Sequence, residues 1–198
     1  MQCHRRSQMP DIDLDFANRA IALKKIKHID AILESDKKHN TGIYVQSIPY
    51  NPIDNVSTID YKSAEDRGYF KIDFLNVSVY EGVRDKAHLT QLMNTEPLWE
   101  LLEEKDFCDK IFHVNGYHDL IAELKPRSIE QLAMFIALLR PGKKHLIPVC
   151  KEKGFDAIKD DIWTKTEEYS FKHAHSIAYA HVVVVQMNLI CEQVSAPF

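Results

Sequence analysis

The chain has 198 residues, 45% hydrophobic and 27% charged, with only six Gly and eight Pro; this length can bury a substantial core in one domain or two small ones, and the composition excludes a disordered or low-complexity protein. Twenty-five Lys and Arg against 29 Asp and Glu leave a net charge of −4, which excludes a grip on duplex DNA by overall basicity and confines any nucleic-acid contact to local clusters. Cys3, Cys108, Cys150 and Cys191 form no C-x-x-C pair, which excludes a zinc ribbon or thioredoxin-like motif and fits reduced thiols in a cytosolic setting.

The opening MQCHRRSQMP lacks the apolar stretch of a signal peptide. Pro10 then leads into Asp11-Ile12-Asp13-Leu14-Asp15-Phe16, whose alternation predicts a half-buried strand with the carboxylates on one face and the apolar residues on the other. Ala22, Ile26, Ile29 and Leu33 recur at three or four residues and predict an amphipathic helix over 17–35. Its lysines, Lys24, Lys25 and Lys27 with His28, read as a solvated helix face and continue into Lys37, Lys38 and His39. Gly42 to Ile48 reads as a second strand, Pro49 to Ser57 as a loop, and Thr58 to Tyr61 as an edge strand. After the Arg67-Gly68 turn, Tyr69 to Phe74 alternates again, with Lys71 and Asp73 on one face.

The second half predicts helices over 79–93, 97–104 and 119–124, the last stopped by Pro126. Ser128 with Gln131 reads as a capping box for a helix to Leu139, ended by Pro141-Gly142, and a final helix is expected over 176–193. No run approaches the roughly 18 apolar residues of a membrane span; Val182 to Cys191, broken by Gln186 and Asn188, reads as a buried element. Strands first and helices later point to an α+β fold.

Two acids at i and i+2 on a strand project from one face with Cα atoms roughly 6 to 7 Å apart, and a third from a neighbouring strand can close the cluster. Two-metal phosphoryl transfer needs ions roughly 3.5 to 4 Å apart, held by the oxygen ligands that Mg²⁺ prefers. Alternating acids also decorate solvated strand edges and calcium loops, although the Gly and terminal Glu of an EF-hand are missing here. Three acids converging without a cation would repel one another, which is costly to retain for structure alone.

Five segments, in order, resemble the alpha subunit of bacterial DNA polymerase III, the C-family replicative polymerases. MPDIDLDF at 9–16 is similar to that family's first catalytic motif, and GYFKIDFLN at 68–76 to its second. KHNTG at 38–42 resembles a Lys-His-Ala-Gly-Gly element near the nucleotide phosphates, with Thr41 in place of a Gly. ELKPRSIEQLAMFIALLRPG at 123–142 resembles a segment ending in Arg-Pro-Gly, and FKHAHSIAYAHV at 171–182 resembles Phe-Asn-Lys-Ser-His-Ser-x-Ala-Tyr-Ala, with His173 where the family has lysine.

The resemblance implies a polymerase beta-like nucleotidyltransferase palm, with a mixed sheet and a mostly helical second half. Residues 1–198 are then one shortened palm-like catalytic domain, without the phosphoesterase-like, clamp-binding or oligonucleotide-fold domains. It implies Asp11, Asp13 and Asp73 as the catalytic metal ligands for Mg²⁺ or Mn²⁺, and Lys38, His39, Lys71, Arg140 and His175 as nucleotide-binding residues. Asp15 matches a motif aspartate outside the metal set. The expected partners are primer-template DNA, deoxynucleoside triphosphates and companion replication proteins, with no membrane, in the cytoplasm of a cell or of a virus's host. The expected activity is template-directed DNA polymerisation; the alternative is a non-catalytic relic of the palm that binds or scaffolds replisome components.

Overall fold

The computed structural model describes residues 12–195, so Asp11, expected among the metal ligands, lies outside the described residues. The fold is α+β, with a mixed six-stranded sheet followed by helices. It divides into two compact units, residues 1–81 and 82–198.

The first unit holds β1 (Ile12–Phe16), α1 (Arg19–Leu23), β2 (Ile29–Ile32), β3 (Lys38–Tyr44), β4 (Tyr50–Asn51), β5 (Val56–Asp60), α2 (Tyr61–Asp66) and β6 (Ile72–Asn76). The strand order is β1-β6-β3-β2-β5-β4. β1 runs parallel to β6 and β2 parallel to β5, while the other neighbours are antiparallel.

The long helix expected over 17–35 does not form. The structure has a five-residue helix, capped by the Asn18 side chain accepting from the Ile21 amide at 3.1 Å, and then strand β2. Ile29, Ala31 and Ile32 are all buried: a short strand covered on both faces reads as continuously apolar, and its residues can mimic helical spacing. The turn from β2 to β3 passes through Asp36 in the left-handed region (φ 58), a conformation that Asp tolerates better than most residues.

The strand expected over 42–48 begins earlier, at Lys38, and ends at Tyr44. Within the expected 49–57 loop lies β4, hairpin-paired to β5 through a turn that closes on left-handed Asn55 (φ 54). β4 therefore takes the edge place expected of 58–61. Tyr61 instead opens α2, a helix that hydrophobic periodicity missed; its signal was the cap, because Asp60 Oδ1 accepts from the amides of Lys62 and Ser63, both at 3.0 Å.

A 3-10 turn over Ser78–Gly82, at the end of the first unit, and helix α3 (Lys86–Asn94), in the second, replace the single helix expected over 79–93. The 97–104 segment is a 3-10 turn, Trp99–Glu103, followed by α4 (Lys105–Cys108). α5 (His118–Leu124) ends on left-handed Lys125 just before Pro126. α6 (Ile129–Leu138) has the expected Ser128 cap, whose Oγ accepts from the Gln131 amide at 3.2 Å. The Gln131 side chain reaches the Arg127 amide at 2.8 Å rather than that of Ser128, so the box closes one residue further out.

α7 (Ile147–Lys153) and α8 (His173–Ser195) complete the unit. α6 is apolar nearly all round and has Leu132, Phe135, Ile136 and Leu138 fully buried, as befits a central core helix. α8 is long and apolar enough by length and composition to cross a membrane, and half of that apolar window is buried within the protein. Gln186 and Asn188, which interrupt its apolar run, are both bonded within the unit. Gln186 grips the Phe112 amide at 2.7 Å and the Lys110 carbonyl at 2.8 Å, while Asn188 donates to the carbonyls of Leu92 and Thr95.

Candidate functional site

Asp13 and Asp73 are register partners on the parallel strands β1 and β6. Laterally paired residues on adjacent strands sit roughly 4.8 Å apart and project to the same face, so the fold brings together two acids that lie sixty positions apart (73 − 13) in the chain. On the other side of β6, Asp73 pairs with Gly42 of β3. Asp73 is thus held between β1 and β3. The apolar alternates take the opposite face, where Phe16 and Phe74 stack with ring centroids 4.6 Å apart.

β3 reaches this point through an irregularity. Asp30 pairs with Ile43 and Ile32 with Lys38, so β2 advances two residues while β3 advances five. The surplus is the segment His39 to Gly42, folded into a bulge of the kind that re-aims side chains. His39 organises it: its Nδ1 accepts from the Gly42 amide at 2.9 Å and the Thr41 amide at 3.2 Å.

That acceptor role fixes the charge of the ring. Burial, and after it the nearby Lys71 ammonium, push the His39 pKa below its ordinary value, against the opposing pull of Asp73. Nδ1 stands 3.8 Å from Asp73 Oδ1, within ion-pair range, but its lone pair faces two amides and the ring is neutral. The group that joins them is Thr41, whose hydroxyl donates to Asp73 Oδ1 at 2.6 Å.

Lys71 forms an ion pair with the other oxygen, Asp73 Oδ2, and both side chains are largely shielded. Its stem lies across Gly42, where a Cβ would stand 2.5 Å from Lys71 Cδ. A side chain at position 42 would have to displace the lysine stem from its path to Asp73. Asp15, two residues from Asp13 on β1, has its carboxyl pKa raised by burial and then by the Asp13 charge. It in turn helps burial push the Tyr80 phenol up to about 12.

The structure brings Asp13, Asp73, Lys71 and His39 to one region of the sheet. Lys38 Nζ bonds Asp30 Oδ2 at 2.7 Å and compensates a buried carboxylate on β2. Arg140 and His175 belong to the second unit. The Arg140 guanidinium stacks on the Phe171 ring at 3.8 Å, with its Nε buried and unpartnered among the described residues. His175 lies partly buried in the first turn of α8. His173, where the family has lysine, bonds Glu130 at 3.0 Å and packs against the Trp163 ring.

Three functional candidates escaped the sequence reading: Thr41, Gly42 and Arg19. Arg19 donates to the carbonyl of Phe74 at 3.0 Å and to that of Thr41 at 3.4 Å, tying α1 to β6 and to the bulge. The signal for Thr41 was present in KHNTG, where a hydroxyl stands next to a glycine; nothing in the sequence indicated that it reaches Asp73. Among the described residues no group of three His, Cys, Asp or Glu side chains is arranged to hold a metal ion. Comparison with protein families and with curated proteins finds no match for the chain.

Proposed function

We propose that this chain is the palm of a template-directed nucleotidyltransferase of the polymerase beta-like kind, which adds deoxynucleotides to a primer 3′-hydroxyl. The observation that carries the reading is the register pairing of Asp13 with Asp73. In this reading Asp13 and Asp73, with Asp11, hold Mg²⁺ or Mn²⁺. Carboxylate oxygens from neighbouring strands are the hard donors these ions prefer, and the pair Asp13 and Asp73 fits them in chemistry. Bound ions would supply charge stabilisation at the attacking and leaving oxygens.

Lys71 is the cation next to those acids, and its partner in the free protein is Asp73. An incoming triphosphate offers the ammonium a second set of anionic oxygens, so Lys71 exchanges carboxylate for phosphate and offsets its charge. His39, neutral and turned toward backbone amides, organises the bulge and brings no positive charge to the phosphates. With a net charge of −4 the chain has no overall attraction for duplex DNA. Primer-template DNA is therefore held with the help of companion replication proteins.

A second reading, a palm-fold relic that binds or scaffolds replisome components, is favoured by one feature. Asp73 is satisfied without a metal, by Lys71 on one oxygen and Thr41 on the other.

Primer extension separates the two. Purified protein with a primed template and Mg²⁺ or Mn²⁺ is expected to incorporate deoxynucleotide, and Asp73→Asn or Asp13→Asn to abolish incorporation while leaving the circular dichroism spectrum unchanged. No incorporation by the wild type, even with companion proteins from the same genome, would leave the relic standing and sink the enzyme.

A further inference from the structure

We infer that Thr41 is a positioning residue for Asp73: its hydroxyl fixes Oδ1 and leaves Oδ2 as the oxygen that a divalent cation and Lys71 exchange. The inference rests on the nucleotidyltransferase reading of the site and adds to it a residue from outside the acidic motifs.

Thr41 is held at three points. Its amide donates to His39 Nδ1 at 3.2 Å, its carbonyl accepts from Arg19 at 3.4 Å, and its hydroxyl donates to Asp73 Oδ1 at 2.6 Å. A threonine has one hydroxyl proton to give. With that proton committed to Asp73, the 3.4 Å approach of Thr41 Oγ1 to His39 Nδ1 is a contact between two acceptors, so the direction of the bond to Asp73 is unambiguous. The bulge in β3 is what makes this reach possible. It adds residues between the pairing positions of Lys38 and Ile43 and places position 41 beside a carboxylate on the next strand.

The two oxygens of Asp73 are therefore unequal. Oδ1 is bonded to a short, branched, β-favouring side chain whose backbone is anchored on both sides of its Cα. Oδ2 is bonded to the end of a flexible lysine whose stem crosses the bare backbone of Gly42. A short anchored partner loses little rotamer freedom on holding its place, whereas a lysine can swing away. The carboxylate consequently keeps its orientation when Lys71 leaves, and an oriented ligand costs a cation less to bind than one that must first be ordered.

The test is Mn²⁺ binding by the full chain, followed through the electron paramagnetic resonance signal of free Mn²⁺, for wild type, Thr41→Val, Thr41→Ala and Thr41→Ser. Thr41→Val keeps the shape and strand preference and removes the donor; Thr41→Ser keeps the donor. Loss of a hydrogen bond to a charged acceptor is expected to weaken Mn²⁺ binding about tenfold in the Val and Ala variants, with Ser within about twofold of wild type. In primer extension the Val variant is expected to lose kcat with KM for the nucleotide unchanged, because the Thr41 hydroxyl proton is committed to Asp73. Wild-type affinity in a folded Val or Ala variant overturns the inference and leaves the enzyme reading intact, as does a Ser variant as weak as Val. A wild type that binds no Mn²⁺ overturns both.

Discussion

The two units use their interiors differently. In the second, α6 and α8 lie at the centre of a continuous apolar core that includes Ile111, Ile121, Leu132, Phe135, Val183 and Met187, all fully buried. In the first, the buried cluster is small, essentially Ile29, Ala31, Tyr44, Ile48 and Ala64, and much of the organisation round β6 is polar: Thr41, His39, Arg19 and Lys71 converge on one carboxylate and its strand. Apolar burial is the larger source of stability and polar networks the larger source of directional specificity. The polar contacts of the first unit therefore fix directions around Asp73, where the second unit relies on apolar volume.

The sharpest way to break this comparison is to remove apolar volume from the second unit. Phe135→Ala deletes a fully buried ring in α6 and is expected to cost about 3–5 kcal/mol. Both tryptophans, Trp99 and Trp163, lie in this unit, so the urea midpoint of tryptophan fluorescence reads it directly. A loss under about 1 kcal/mol would mean that the α6 core is not the main source of the second unit's stability.

A smaller effect comes from His113, whose ring stands 4.1 Å from both Phe112 and Tyr179. Burial, and after it the Arg140 charge, push its pKa down from 6.5 to about 4. The folded state then binds fewer protons than the unfolded state between those values, so stability is complete above pH 6.5 and falls as pH drops toward 4. The ring is only partly buried, and solvent screening reduces the expected loss to about 2 kcal/mol by pH 4. His113→Asn, chosen because position 113 has a left-handed backbone (φ 64), is expected to lower stability at neutral pH but to flatten this slope. Equal slopes for the two proteins between pH 6.5 and 4 would show that His113 is not buried neutral.

What could be read from the sequence followed from how local each signal is. Alternation at 12–16 and 69–74 marked the two acid-bearing strands, because a period of two survives wherever one face is covered. Caps and breakers, Ser128 before α6 and Pro126 after α5, likewise announced themselves within a few residues. The stretch from Ala17 to Ser35 misled because Ile26, Ile29 and Leu33 fit a helical spacing by coincidence, while pairing with β3 and β5 decides that 29–32 is a strand. Neither the bulge at His39 to Gly42 nor the partner of Lys38 was legible. Both depend on register between strands, and register appears only when the sheet is assembled.

Lys38 makes the finest test, because two readings of one residue predict different observables. The resemblance nominates it for nucleotide phosphates, whereas its ammonium sits 2.7 Å from Asp30 Oδ2, with the Asp30 side chain 8% exposed and its own 56% exposed. Removing one partner of a buried pair leaves an uncompensated charge, but the open lysine end lets water replace part of the lost contact. Lys38→Met is therefore expected to destabilise the first unit by about 1 kcal/mol, and adding Asp30→Asn to restore most of the loss, in a double-mutant cycle read by thermal unfolding followed in far-ultraviolet circular dichroism. Its KM for nucleotide should stay within about twofold of wild type once both proteins are assayed well below their melting temperatures. Unchanged stability with a KM raised tenfold or more would return Lys38 to the phosphates and leave Asp30 to be neutralised by another group; the additive outcome, no coupling between positions 30 and 38, would dissolve the ion pair itself.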